Sequence, residues 1–158
     1  MYQSIWQYVL VFLAAGTPFI EAMVTVPFAI IAGLNPVVAS LIAFLGNLVT
    51  VILVVVFYDY VVRWNARRLE SKGIRKKGPS KRQERAKRVW NRFGLPGLSI
   101  AGPFLISSHV TIFMALALGA SKQAAISWMA ISLALWTILA AAATSFGFDL
   151  VSKTITAE

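Results

Sequence analysis

Apolar residues fall along the chain in blocks whose lengths and breaks predict helices. Tyr2 to Ala15 is an apolar stretch of 14 residues, about 21 Å as a helix against a hydrocarbon core of about 30 Å. Residues 2–15 are therefore expected as a short N-terminal interfacial helix, with Trp6 and Tyr8 at headgroup level. Gly16-Thr17-Pro18 breaks the run, with Thr17 as an N-cap and Pro18 at the first helical position, where a missing N–H does no harm. Pro27 sits in the middle of the next apolar stretch and Gly33-Leu34-Asn35-Pro36 ends it. Residues 17–34 thus read as a re-entrant hairpin of two half-helices. From Pro36 to Val62 the only polar interruptions are Ser40, Asn47, Thr50 and Asp59, so 36–62 is a transmembrane helix of about 40 Å, long enough to span with tilt.

Residues 63–92 form a polar, basic loop, with Tyr58, Tyr60 and Trp64 marking the interface before it. Gly73, Gly78 and Pro79 interrupt its helix-forming ends. The apolar pattern then resumes in the same order. Gly94-Leu95-Pro96-Gly97 and Gly102-Pro103 punctuate a second hairpin over 95–119, Gly119-Ala120-Ser121 stops it, and 122–148 makes a second transmembrane helix. The recurrence is visible in the letters: Pro18-Phe19-Ile20 against Pro103-Phe104-Leu105 at an offset of 85, then Val24-Thr25 against Val110-Thr111 and Gly33 against Gly119 at 86. The expected fold is an all-α integral membrane protein of two repeats, each a re-entrant helical hairpin followed by a long transmembrane helix, in one membrane domain over 1–158. Because the first span ends at the basic loop and the second block starts from it, the two repeats are expected to be inverted. Broken segments at corresponding positions place backbone groups at depth, which is tolerated where they are buried or line a wet cavity.

Composition narrows the classes. The chain is 58% hydrophobic with mean hydropathy +0.73, against roughly 45–50% apolar in a soluble domain. Its net charge of +9 is concentrated, since Arg63 to Arg92 hold 13 of the 15 Lys and Arg residues. Excess Lys and Arg in a short loop beside a span place 63–92 in the cytoplasm of an inner or plasma membrane protein. Arg67, Arg68, Arg85, Arg88 and Arg92 are the candidates for contact with anionic lipid headgroups. Basic charge without a reading motif does not point to nucleic acid. The absence of Lys or Arg before Arg63 argues against a cleaved secretory leader, so residues 1–15 are expected to be retained. With no cysteine, disulfides, thiolate nucleophiles and cysteine-based metal centres are excluded, and no metal or other cofactor is expected.

Pro18-Phe19-Ile20-Glu21, Pro27, Gly33-Leu34-Asn35-Pro36 and Gly46-Asn47, followed by the basic linker, Arg92-Phe93-Gly94 and Gly102-Pro103, resemble the small multidrug export family, which is itself distantly similar to the DedA membrane proteins. The resemblance implies paired re-entrant hairpins and a transport-like role. The DedA likeness implies movement or scrambling of lipids, including lipid-phosphate carriers. Many members of the family carry an Arg two residues after the hairpin Glu; here that position is Met23, so a mechanism built on a Glu–Arg pair in the first hairpin does not carry over.

Glu21 is the only acid in the first 58 residues, and an ionisable group at membrane depth is a candidate substrate or proton site; the competing reading is an interfacial acid favoured by a helix N-terminus. His109, beside Ser107, Ser108 and Thr111, is suited to a proton relay or an anionic headgroup, or else to bonding a freed carbonyl. A Glu21–His109 proximity is the sharpest expectation, and paired Cys substitutions that refuse to crosslink would argue against it. Asn47 mid-span is either a substrate contact or a packing residue beside Gly46. Asp59 and Asp149 end the two spans as interfacial, solvated acids. The expected hairpin breakers are Pro18, Pro27, Gly33, Pro96, Gly102, Pro103 and Gly119. No residue is assigned a catalytic role, because no nucleotide-binding glycine pattern, metal spacing or oriented triad is present.

The first functional reading is a transporter or lipid translocase, with a cavity between the hairpins and proton coupling. The second is a scaffolding membrane subunit without transport activity. The third is a four-span exporter like the small multidrug resistance transporters, with residues 2–33 as one kinked span. A homo-oligomer is also considered, since so small a chain needs a symmetric partner to close a pathway.

Overall fold

A computed structural model describes residues 2–71 and 81–156. They form six helices: α1 (Tyr2–Ala15), α2 (Glu21–Ile31), α3 (Pro36–Ser71), α4 (Lys81–Leu105), α5 (Ser108–Ala117) and α6 (Lys122–Thr156). The turn expected around Gly73, Gly78 and Pro79 lies outside the described residues, as does the side chain of Asp149. Contacts divide the chain into two units, one of Met1–Thr50 with Ala130–Glu158 and one of Val51–Met129.

The long helices start where local chemistry dictates. Asn35 caps α3, its Oδ1 accepting from Val37 N at 3.0 Å and Val38 N at 3.2 Å, with Pro36 at the first helical position. Ser121 caps α6, its Oγ accepting from Ala124 N at 3.3 Å. The short helices before them end alike. After α2, Gly33 N bonds Ile30 O and Leu34 N bonds Ala29 O; after α5, Gly119 N bonds Leu116 O and Ala120 N bonds Ala115 O. Both ends are Schellman motifs, with Gly33 at φ +84° and Gly119 at φ +98°. These caps and stops recur 86 residues apart.

Three features depart from the sequence expectation. Residues 17–34 are not two half-helices: Pro27 lies inside α2, and the break falls at 16–20. Thr17 does not cap α2, because its hydroxyl donates back to Ala14 O at 2.6 Å. The first helical hairpin is therefore α1 packed on α2, with α1 as an arm of it. The second consists of α5 packed on α4, where Gly94 at φ +65° kinks α4 and Pro96 follows at the start of the new segment. Pro103 lies in the last turn of α4 and does not break it. Finally, α3 continues past Val62 to Ser71, because Arg, Leu and Glu are good helix formers and nothing there stops the helix.

Small residues set the packing of the first unit. Val11, Ala15, Ala22, Val26, Ala29, Leu34, Ala39 and Ala43 form its core. A Cβ at Gly46 would collide with the Phe12 carbonyl, so α1 and α3 approach there as only glycine permits. Tyr8 adds a polar tie, its hydroxyl accepting from Asn35 N at 3.3 Å. In the second unit Leu98, Ile106 and Ala115 form the core, and a Cβ at Gly102 would meet the Thr111 side chain. Tyr58 stands edge-on to Phe113 at 5.0 Å between ring centroids. Lys122, at the start of α6, pairs with Asp59 on α3 at 2.8 Å.

Candidate functional site

Each hairpin carries a polar centre at the start of its second helix. In the first unit the chain turns through 16–20 and enters α2 at Glu21, which is 6% exposed. Both Phe19 and Glu21 have positive φ, 75° and 45°, a conformation that costs a non-glycine residue about 1–3 kcal/mol and that clusters at functional sites. Glu21 N bonds Thr17 O at 3.3 Å. One turn later Thr25 is buried on the same face of α2. Pro27 has no N–H, so the Met23 carbonyl has no helical partner at that position. Asn47, on α3, is fully buried in the same unit.

In the second unit the equivalent turn ends at Ser107, with φ 135°, and α5 begins Ser108-His109. Ser107, Ser108, His109 and Thr111 are all buried. Ser108 Oγ lies 3.4 Å from His109 Nδ1, and Thr111 donates to Ser107 O at 2.7 Å. Glu21 and Ser107 correspond at the 86-residue offset, so a strained polar residue opens the second arm of each hairpin.

The remaining predicted residues are placed as follows. Pro18 lies in the 16–20 turn, and Gly33 and Gly119 end α2 and α5. Pro96, Gly102 and Pro103 belong to the segment of α4 beyond the Gly94 kink, where Gly102 serves close packing on Thr111. Arg67, Arg68, Arg85, Arg88 and Arg92 are exposed on α3 and α4. Arg68 stacks over Trp64 at 5.3 Å and Arg92 over Phe93 at 5.2 Å, arrangements that leave cations beside aromatic rings suited to an interface. Asp59 is exposed and paired with Lys122.

Sequence reasoning missed the buried hydroxyls Thr25, Ser132 and Thr137 in the first unit. Their signal was faint: single Ser or Thr residues inside apolar runs, indistinguishable in letters from those that bond their own helix.

The two helices long and apolar enough to cross a bilayer, Pro36–Arg68 and Lys122–Gly147, have only 28% of their apolar windows buried by the protein itself. Trp6, Phe28, Val37, Ile138 and Phe146 all point outward. A hydrocarbon solvent is what such a surface fits, and the chain is a helical membrane protein. Residues 21–139 match the family described as "Putative small multi-drug export protein", and the chain belongs to that family. Neither the curated proteins nor the solved structures contain a match to it.

Proposed function

We propose that the protein is a membrane transporter or lipid translocase built as an inverted repeat, in which each re-entrant hairpin, α1–α2 or the distal segment of α4 with α5, precedes a long span, α3 or α6. Glu21 and Asn47 serve the first hairpin and His109 the second as substrate or proton sites. Anionic headgroups are the ligand class suited to the exposed arginines of the basic segment, which faces the cytoplasm.

The observation that carries this reading is the Asp59–Lys122 pair at 2.8 Å. By Asp59, α3 has already run 23 apolar-rich residues from Pro36, about 35 Å and enough to cross the bilayer. Lys122 therefore begins α6 at the end of the apolar run that leads into the basic segment. Four plain spans require α6 to begin on the far side. With α5 packed back along the segment of α4 beyond the Gly94 kink, the second hairpin enters and leaves by one face in this reading, and non-helical backbone at membrane depth is tolerated where it is buried or lines a wet cavity.

The family description adds export of small molecules to the lipid reading, and one reconstitution separates them. Proteoliposomes are assayed for efflux of a fluorescent drug cation and, in parallel, for exposure of labelled lipid headgroups to an external quencher. One of the two activities is expected, and Glu21→Gln or His109→Ala is expected to reduce it at least tenfold. If both variants match the parent in both assays, the scaffold reading replaces this one.

A further inference from the structure

The chain's positive charge is concentrated in residues 63–92, but the two helical ends of that segment are placed differently. At the α3 end the helix continues unbroken from Asp59 to Ser71. Arg67 and Arg68 are thereby carried about 12–14 Å past Asp59, beyond a headgroup layer of about 5–8 Å. Being neighbours in a helix, they also stand about 100° apart. The α4 end is held against the second hairpin instead. Val89 and Trp90 are half-buried and pack on the Leu98, Ile106 and Ala115 core, which keeps this part of α4 beside the hairpin.

Charge on that end is ordered. Between Lys81 and Phe93 there are six Lys and Arg residues and one acid, Glu84. Four of the six, Lys81, Arg85, Arg88 and Arg92, recur at i, i+4, i+7 and i+11 and are all exposed. At about 100° per residue they fall within one stripe of about 60°, about 16 Å long. Val89, Phe93 and Trp90 fall on an arc centred about 110° from it, so the cations flank the apolar side instead of standing opposite it. Just past the stripe, Gly94 at φ +65° turns the chain into the hairpin, a conformation that glycine takes without the cost of a side chain. The turn folds Phe93 back on Gly97, where an added Cβ would collide with it. Phe93 is still 59% exposed, with the Arg92 guanidinium over its ring.

We propose that Lys81–Phe93 lies along the membrane surface as an amphipathic helix, with the stripe of Lys81, Arg85, Arg88 and Arg92 binding anionic phospholipid headgroups beside the second hairpin. The inference narrows the ligand class proposed above to one site and replaces Arg67 and Arg68 by Lys81. It rests on the second hairpin lying in the bilayer, but not on transport. With Val89 and Trp90 turned to the hairpin, cations on the flank are held level with the headgroups. There, long basic side chains keep their stems in apolar surroundings and their heads in water. Phe93, an exposed ring beside the last cation, suits the same depth. An acidic protein would meet its charges from the water side, opposite the apolar arc, and would leave Phe93 uncovered. The attraction is to negative surface charge, so phosphatidylcholine alone does not satisfy it.

The chain has no cysteine, so Asn91→Cys, at an exposed position outside the stripe, carries a single fluorophore. Full-length protein is placed in phosphatidylcholine nanodiscs containing a nitroxide-headgroup lipid, with or without phosphatidylglycerol. Quenching is expected to rise roughly twofold with phosphatidylglycerol and to lose that rise at high salt. Lys81→Gln combined with Arg85→Gln, Arg88→Gln and Arg92→Gln is expected to abolish the rise. Arg85→Lys, Arg88→Lys and Arg92→Lys together are expected to preserve it, as is Arg67→Gln with Arg68→Gln. Quenching that ignores phosphatidylglycerol, that survives neutralisation of the stripe, or that is lost with Arg67 and Arg68 overturns the inference. Absence of quenching in every disc overturns it too and assigns the stripe to a partner in water. Nanodiscs expose both faces and need no substrate, so these outcomes are independent of the efflux and headgroup-exposure assays that test transport.

Discussion

Gly33 and Gly119 occupy the residue just past α2 and α5, at φ +84° and +98°, and a Cβ at either would meet nothing within 4 Å. Space is therefore not what requires glycine there; backbone conformation is. An L side chain in the left-handed region costs about 1–2 kcal/mol, so Gly33→Ala and Gly119→Ala are each expected to lose about 1 kcal/mol, and by similar amounts. Thermal or denaturant unfolding in detergent micelles measures this, and a loss much larger at one site would mean that its Cβ does collide. These glycines were legible because a Gly-x-Asn-Pro or Gly-x-Ser stop is written in local residues. The positive φ values of Phe19, Glu21 and Ser107 were not legible. Nothing in the letter Glu or Ser announces a left-handed backbone, which is imposed by the turn joining two packed helices.

Between elements the decisive contacts are those that exclude a methyl group. At Gly46 an added Cβ runs into the Phe12 main chain, which cannot swing aside as a side-chain tip can. Gly46→Ala is expected to push α3 off α1 at a cost of about 1–3 kcal/mol, and Gly46→Leu to cost more. Gly147→Ala, with nothing within 4 Å, is the matched control, and unfolding midpoints of the pair in the same detergent decide the matter. The starts of α3 and α6 were readable from Asn35-Pro36 and Ser121 because capping is local. The arms of the first hairpin were misplaced for a physical reason: Pro27 reads as a breaker in water, yet in a membrane protein the groups freed by proline are satisfied by neighbours and the helix persists. The far end of α3 escaped notice because a basic, polar composition marks the end of a span, whereas the same residues prolong a helix. In the letters Glu21 and His109, the ionisable members of two separate polar centres, stand out by rarity. Thr25, Ser132 and Thr137 do not, since their distinguishing property is the lack of a bond among the described residues.

For the molecule as a whole, the question is which faces of the membrane the chain visits. In the proposed topology the Lys and Arg excess of the segment after α3 puts that end in the cytoplasm, and the Asp59–Lys122 pair brings the start of α6 to the same end. From Lys122 the chain runs through 26 residues apolar enough to cross, about 39 Å as a helix, so the proposed topology puts Glu158 outside. The pair itself is exposed on both sides, 49% and 54%, and solvent screening leaves such surface pairs little weight in stability. In the proposed topology the pair is therefore a marker rather than an enforcer, and the charge asymmetry is the orienting element. A reporter fused after Glu158 is expected to be active as an alkaline phosphatase fusion and dark as a green fluorescent protein fusion, with the reverse for a fusion after Ser71. Asp59→Asn is expected to leave that pattern intact, whereas neutralising Arg63, Arg67 and Arg68 together with Arg85 and Arg88 is expected to yield a mixed orientation. A fluorescent fusion at Glu158 in the unaltered chain would put the carboxyl terminus in the cytoplasm. That result requires an even number of crossings between the segment after α3 and Glu158, whereas a second hairpin that begins and ends on the inner face leaves α6 as the one crossing, so it would overturn the re-entrant reading.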